Sequence, residues 1–516
     1  MIGEICANLL TIPNLVLSLA ACFLGIVIGA IPGLTVTLGI ILLLPLTYGM
    51  TKTTAILTLL SVYVGGCYGG SISAILINIP GTNSALATTL DGHPMAKKGM
   101  AYKALSTSLF ASSLGGFLGA LILLFAAKPI AQLASYCRSP EYFSLALFGM
   151  TVIAGVSGKN IVKGLISTAV GIFISCIGME SLSGTFRYTF DTNFLMGGIN
   201  MVPALIGLIA LTQVVLSSVE EKQKHYLVTD DTMTAKNLDD PPINRKEMLS
   251  VLPTIIKSVL IGTVIGAMPG AGGEVATFLS YNEAKRTSKH PELFGTGCIE
   301  GIAAPESSNN TVVGTAMIPL LTLGIPGDGV TAILLGALTL HGMEPGPQLF
   351  TKQAVATYSI IVGLIICNIF LYIEGRIFTK QISKIIKIPF SILGTAITMF
   401  CFSGAFSSGG NISQMMVIVP LALFGYYLNQ FGYSVIPMML GLILGPIVEK
   451  NFTRSMIAYH DDVFVFFKQP VSCAILILAV VSTALIMRMN NSMETKAASQ
   501  VAEAEAKAIS EQNTKR

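Results

Sequence analysis

The chain has 516 residues, of which 52% are hydrophobic and only 11% charged, with a formal net charge of +4. A soluble domain carries about 25% charged residues, whereas apolar runs of roughly 20 residues, enough to cross a bilayer, recur here from end to end. That composition excludes a soluble protein, and the few basic residues, placed in short loops by the ordinary positive-inside bias, give no sign of nucleic-acid binding.

Taken in order, the chain opens on MIGEICANLLTIPNLVLSLAACFLG. This stretch lacks the basic n-region of a cleavable signal, so its first span is read as retained. The expected fold is an all-α polytopic membrane protein with roughly ten to twelve spans, counting broken ones. Nine cysteines, Cys22, Cys67, Cys176 and Cys401 among them, lie in apolar stretches without CxxC pairs. They read as small apolar residues, neither a disulfide framework nor a metal site.

Three internal matches organise the chain. Residues 25 to 33, GIVIGAIPG, match 262 to 270, GTVIGAMPG, in seven of nine positions at an offset of 262 − 25 = 237. NIPG at 78 to 81 matches GIPG at 324 to 327, 324 − 78 = 246. GINMVPALIGLI from 198 matches GYSVIPMMLGLI from 432, 432 − 198 = 234. Same order and nearly one offset mean two homologous halves. Residues 1–217 are read as the first membrane repeat and 250–488 as the second. Between them 218–249 is a polar loop with a Pro pair, and 489–516 is a polar tail, helical or disordered.

Loop charge relates the halves. After the first Pro-Gly break the first half has only Lys52, whereas the second has Lys285, Arg286 and Lys289. After the next break the order reverses: Lys97, Lys98 and Lys103 face Glu344 with Lys352. Equivalent loops therefore belong on opposite sides, so the repeats are inverted. The run Arg376, Lys380, Lys384 and Lys387 is assigned to the cytoplasm with Arg488 and the tail.

The stretch from Gly301 to Pro347 is apolar, yet it carries Glu306, Asn309, Asn310 and Asp328 and is cut by Pro305, Pro319 and Pro326. A carboxylate at mid-bilayer costs about 2.5–3.5 kcal/mol on insertion scales, so something polar is met there. Inverted repeats with paired broken, re-entrant-like Pro-Gly hairpins are the pattern of a secondary transporter with its site between the repeats. Half-helix N-termini attract a carboxylate, and freed carbonyls with Asn or Ser oxygens suit a cation. The expected substrate-binding residues are Asn78, Pro80, Gly81, Thr82, Asn83 and Ser84 in the first hairpin and Gly324, Pro326, Gly327 and Asp328 in the second. Gly33, Gly270, Glu306, Asn309 and Asn310 are expected to hold a coupling ion, sodium or proton, or to support the loops.

Other polar residues have plainer readings. Asp91 with His93 and Lys97 reads as a loop cap and topology anchor, and Glu274 as site or cytoplasmic mouth. Tyr68, Ser71 and Ser73 are candidate lining, although small residues also let helices approach. Five histidines, at 93, 225, 290, 341 and 460, form no HExxH, and no G-x-S-x-G context occurs, so the chain is not read as an enzyme and needs no cofactor beyond the ion. A channel or uniporter for small organic anions is the alternative.

YGGSISAILINIPGTNSALATTLDGHPMAKKG from 68, VIGAMPGAGGEVATFLSY from 264, FGTGCIEGIAAPESSNN from 294, LTLGIPGDGVTAILLGALTLHGMEPGP from 321 and GLILGPIVEKNFTRSM from 441 are specific enough to compare. Together they resemble the large membrane subunit of the bacterial tripartite tricarboxylate transporters, the TctA type. The resemblance implies a multi-pass protein of the bacterial inner membrane that takes a tricarboxylate or related organic acid from a periplasmic binding protein. It also implies a small four-span membrane subunit as partner and an ion gradient as the driving force.

Overall fold

The computed structural model describes residues 1–156, 161–180, 184–224, 238–382, 390–409 and 412–484. Lys384, Lys387, Arg488, His225, the tail and the middle of the polar loop between the halves lie outside the described residues. The described chain is an all-α polytopic membrane protein. Among the described residues, seven helices are long and apolar enough to cross a membrane.

The first half runs α1 (Ile2–Leu9), α2 (Ile12–Ala30), α3 (Val36–Leu43), α4 (Lys52–Ile77), α5 (Leu86–Lys97), α6 (Ala101–Ala134), α7 (Ser139–Val156) and α8 (Ile161–Ser175). A two-residue hairpin, β1 (Gly178–Met179) with β2 (Phe186–Arg187), leads to α9 (Asn193–Met196) and α10 (Met201–Leu205), which passes through a π-helical turn at Ile206–Leu211 into α11 (Thr212–Lys224). The second half follows as α12 (Arg245–Ala267), α13 (Gly272–Thr287), α14 (Ile299–Thr315), α15 (Met317–Leu323), α16 (Gly329–Leu340) and α17 (Ala354–Ile382). It closes with α18 (Phe390–Gly409), α19 (Ile412–Gln430), α20 (Val435–Ala458) and α21 (Val465–Lys468), before an apolar helix at Pro470–Ala484.

Proline and glycine set the breaks. α2 ends where Ile31 turns extended before Pro32 and Gly33 takes φ +89°; α12 ends the same way at Met268, Pro269 and Gly270, with φ +80°. Proline removes a helical donor, and glycine alone enters the left-handed region freely. α4 and α15 are each capped by a left-handed residue, Asn78 at φ 56° and Gly324 at φ 73°, directly before Ile-Pro-Gly.

α4 is the buried axis of the molecule. Its run Gly65, Gly66, Gly69 and Gly70 lets α2 approach to backbone contact: a Cβ on Gly65 would overlap the Cys22 carbonyl, and one on Gly69 the Ile26 carbonyl. Small residues are how membrane helices gain packing where lipid offers no hydrophobic drive. Gly25 meets Val62 and Gly29 meets Gly66, while on α12 Gly262 meets Ser308 and Gly266 meets Val312 and Thr315 of α14. α14 packs on α6 through Gly115 against Ser307 and Gly119 against Thr311; α17 packs on α4 through Cys367, whose thiol lies 3.0 Å from the Ser61 hydroxyl.

The helices form two groups. α2, α4, α5, α6, α12, α13, α14, α15 and α17 make the larger group, whereas α7 and α8 pack on α20, and α18 and α19 on α10 and its π-turn. α3 and α16 lie between the groups, touching both α4 and the second group. The two ends of the molecule are well tied. At one, Lys380 lies over the Tyr102 ring, Asp240 accepts the Tyr102 and Lys103 amides, and Lys103 pairs with Glu247. At the other, Thr47 meets His341 at 2.9 Å, Gln353 donates to the Gly342 carbonyl, and Asn8 joins Thr53 to Ser359. α17 runs from the second end to the first, so the loop at Lys98 and the loop at Glu344 lie at opposite ends of helices about 40 Å long.

Candidate functional site

A cavity of about 390 Å³ opens where the two helix groups face each other. One wall is built by the residues that follow the breaks, in the larger group and at the starts of α3 and α16: Thr35 to Thr37, Thr82 to Ser84, Gly270 to Glu274, and Asp328 to Val330, with Tyr63, Cys67 and Asn309 behind them. The facing wall is Leu208 to Leu216 of the π-turn and α11, with Asn429 and Ser434 to Ile436 at the turn into α20. Glu274 and Asn429 are exposed at the mouth. Among the described residues, two lining side chains, Glu274 and Asp328, are acidic, and none is Lys, Arg or His.

The first hairpin places its residues unevenly. Thr82, Asn83 and Ser84 line the cavity; Asn78, Pro80 and Gly81 do not. The tip is occupied with packing: Gly81 lies against the Gly29 carbonyl and Gly70, and its N–H donates to the Gly70 carbonyl at 3.1 Å. Asn78 is exposed in its capping role. In the second hairpin Gly324, Pro326 and Gly327 likewise lie off the lining, and the Gly327 carbonyl accepts from the Gly270 N–H at 2.8 Å, locking this hairpin to the neighbouring break. Gly33 also lies off the lining, with its carbonyl 3.4 Å from Gln213 Nε2.

Asp328 has two duties. Its Oδ1 accepts the Thr331 N–H and hydroxyl, both at 2.7 Å, and closes a capping box at the start of α16. Its Oδ2 accepts the hydroxyl of buried Tyr63 at 2.5 Å, which ties α16 to α4. The N-terminus of α16 is thus satisfied from within the chain. α13 differs: it starts at the cavity with Gly270 and Gly272 at positive φ and with no side-chain cap, leaving its first amides for other partners.

Three polar groups on α14 behave differently. Glu306 is fully buried away from the cavity, and four hydroxyls converge on it: Ser71 at 2.5 Å and Thr88 on Oε1, Ser108 at 3.0 Å and Ser112 at 2.8 Å on Oε2. These donors come from α4, α5 and α6, so the carboxylate binds four helices together. Asn309 is 3% exposed, lines the cavity beside Ser84 and Gly273, and its Nδ2 has no partner. Asn310 is wholly enclosed, with neither Oδ1 nor Nδ2 hydrogen-bonded. A buried amide left this way costs about 1–3 kcal/mol, which a purely structural residue rarely retains.

The remaining sequence candidates serve packing. Asp91 is buried and accepts the N–H groups of Gly295, Gly297 and Cys298 and the Tyr281 hydroxyl, a cap for the loop before α14. Tyr68 bonds Thr379, Ser71 serves Glu306 and Ser73 the Gly70 carbonyl. Sequence reading passed over Tyr63, the Thr35 to Thr37 segment and the Leu208 to Leu216 wall. Tyr63 sits in an unbroken span with no local mark. The facing wall did carry a signal, because the repeated motifs from Gly198 and Gly432 run into Leu208 and Ser434.

Comparison with known proteins found two relatives and a family. A protein of Agrobacterium vitis described as an uncharacterized 52.8 kDa protein in the TAR-I ttuC' 3'region is 34% identical over 479 residues, covering 92% of this chain and 94% of its own length. A second from the same organism, an uncharacterized protein in the TAR-II ttuC' 3'region, is 38% identical over 226 residues, 44% of this chain and 93% of its own. No solved structure matches the chain. Residues 15–440 match the tripartite tricarboxylate transporter TctA family, and the chain belongs to that family.

Proposed function

We propose that the chain is a secondary active transporter subunit that imports a carboxylate, a tricarboxylate or a related organic acid, across the bacterial inner membrane. A periplasmic binding protein delivers the substrate, a small four-span subunit accompanies the chain, and a sodium or proton gradient drives uptake. The observation that carries this reading is the cavity wall, built from both sets of breaks and bearing, among the described residues, two carboxylates and no basic side chain. An organic anion entering alone meets like charge, whereas one entering with a cation is neutralised. A channel or uniporter for organic anions would line its path with fixed basic charge instead. The free amides of α13 and the Asn309 Nδ2 suit the carboxylate, and Asp328 suits the cation.

The same reading takes residues 1–217 and 250–488 as inverted repeats around the cavity. Its support is positional. Gly25, Gly29 and Gly33 plus 237 give Gly262, Gly266 and Gly270, and their contacts Val62 and Gly66 plus 246 give Ser308 and Val312. Exchange of halves also converts α7 and α8 on α20 into α18 and α19 on α10. Cysteines placed at Lys98, Arg286 and Lys380 should react with an impermeant maleimide only from the cytoplasm, and one at Glu344 only from outside. Reaction of positions 98 and 344 from one side would remove the inversion.

Uptake of labelled di- and tricarboxylates into proteoliposomes tests the function. The chain with its small subunit and binding protein, under an imposed sodium or proton gradient, should accumulate substrate; the chain alone should transport poorly. Full activity of the isolated chain, or accumulation indifferent to both gradients, would contradict the proposal.

A further inference from the structure

Two contacts that the repeat makes equivalent are in different states. Under the offset of 246, fixed by NIPG at 78 and GIPG at 324 and by the helix contacts of α4 and α14, Tyr63 corresponds to Asn309 (63 + 246 = 309) and Thr82 to Asp328 (82 + 246 = 328). The pair Tyr63 with Asp328 is closed, hydroxyl to carboxylate at 2.5 Å. In the corresponding pair Asn309 has an unpartnered Nδ2, and the Thr82 hydroxyl reaches only Ser84, at 3.2 Å. All four residues line the same cavity.

The two pairs also lie toward opposite ends. Asp328 starts α16, which runs to the end where His341 meets Thr47, and Tyr63 is on the half of α4 nearest that end. Thr82 precedes α5, which runs to the other end, where the Asp91 clasp holds the loop before α14. The cavity's facing wall comes from α11 and the turn between α19 and α20, the latter joined to the start of α8 by Lys163 Nζ donating to the Phe431 carbonyl at 2.7 Å. The exposed lining residues Glu274 and Asn429 put the mouth on the side of Asn309, which lies against Gly273, and the closed pair lies on the other side.

We infer that Tyr63 with Asp328 and Asn309 with Thr82 are reciprocal gates of alternating access: opening toward the end of Glu344 breaks the first pair and makes the second. This rests on the transport reading above and deepens it, since it assigns the residues that decide which side the carboxylate and its cation can reach. Each state then has one polar pair made and one released. The two states can lie close in free energy, as a cycling carrier requires.

The test uses the full chain with its partner subunit in membrane vesicles, with Cys67 replaced by Ala and a reporter thiol from Gln213→Cys at the mouth. During turnover, with substrate and gradient present, copper-phenanthroline should oxidise the thiols of Thr82→Cys with Asn309→Cys to a disulfide. That bond should lower both uptake and maleimide labelling of position 213 by about tenfold, and dithiothreitol should restore them. The same treatment of Tyr63→Cys with Asp328→Cys should stop uptake but leave position 213 labelled. Because Asp328 also caps α16, Tyr63→Phe serves as a milder variant, and it should reduce resting labelling at 213 by about tenfold, the lower end of the shift expected from losing a hydrogen bond to a charged group. A Thr82 and Asn309 pair that never links in a transporting protein, or that links and leaves 213 reactive, overturns the inference, as does unchanged labelling in Tyr63→Phe. Alternating reactivity with no carboxylate moved would instead remove the proposed function and leave the gates standing.

Discussion

Glu306→Ala should leave little folded protein in the membrane. The carboxylate is the sole meeting point of Ser71, Thr88, Ser108 and Ser112, contributed by α4, α5 and α6. Hydrogen bonds to a charged group contribute about 1.5–3 kcal/mol each, but some hydroxyls would turn back to carbonyls in the preceding turn, so the net loss is about 3–5 kcal/mol. That is a large share of a folding stability of about 5–15 kcal/mol. Precedent for the turn-back lies in the same helix, where Ser307 donates to the Ala303 carbonyl and Thr311 to that of Ser307. Glu306→Gln keeps the volume and one acceptor oxygen and should cost about 1–2 kcal/mol. Yield and thermal midpoint in detergent should therefore fall in the order wild type, Gln, Ala, while the ion dependence of uptake in the Gln variant stays as it was. Normal yield with altered ion dependence would make Glu306 an ion ligand instead.

What the sequence could say about this site follows the chemistry of each residue. Pro and Gly are legible because their backbone restrictions are local: the turns at Gly33, Gly270, Asn78 and Gly324 fall where the repeated motifs put them. The cavity lining is less legible because it depends on what the hairpin tips pack against. The tip residues Asn78 to Gly81 and Gly324 to Gly327 are used against neighbouring backbone or left outside, and the residues just after them reach the cavity. Tyr63 could not be found by composition, since an aromatic inside an apolar span is ordinary until its partner, 265 positions on, is placed beside it. Glu306 was legible as costly and therefore as purposeful, but its four hydroxyl partners are scattered over three helices, and serine alone reads as packing.

Under the proposed function the α13 terminus takes the carboxylate and Asp328 the cation, a division of labour that the repeat does not predict. At equivalent stages the first half has Thr82, which caps with its carbonyl to the Ala85 N–H at 3.0 Å, and the second has Asp328, which caps with its carboxylate. The two aligned positions therefore differ in charge. A carrier for two unlike ligands, an anion and a cation, needs that asymmetry, because identical half-sites would bind the same species twice.

Asn310→Leu should give a protein that is more stable and transports far less. The residue is fully enclosed, and both polar atoms of its amide lack a hydrogen bond, a cost of about 1–3 kcal/mol that a leucine, somewhat larger but of the same branched shape, would not bear. Substitution should raise the thermal midpoint by about one degree for each ~1 kcal/mol gained, the size expected in a protein of this length. The chain nevertheless carries an amide there, one turn from Glu306 and next to the cavity residue Asn309. A group held unsatisfied at such a cost is explained if another state of the transport cycle supplies its partner, whether substrate, ion or a shifted α4 or α6. Uptake by Asn310→Leu should then fall by about tenfold or more, the loss of a hydrogen bond worth about 1.4 kcal/mol or more. Asn310→Ala should lose uptake as well but gain less stability, because it leaves a small void. Thr82→Ala, at the cavity wall, should reduce uptake with little change in stability. A less stable Asn310→Leu, or a stabilised one with unchanged uptake, would show that the amide is a packing residue whose partners rearrange without regard to transport.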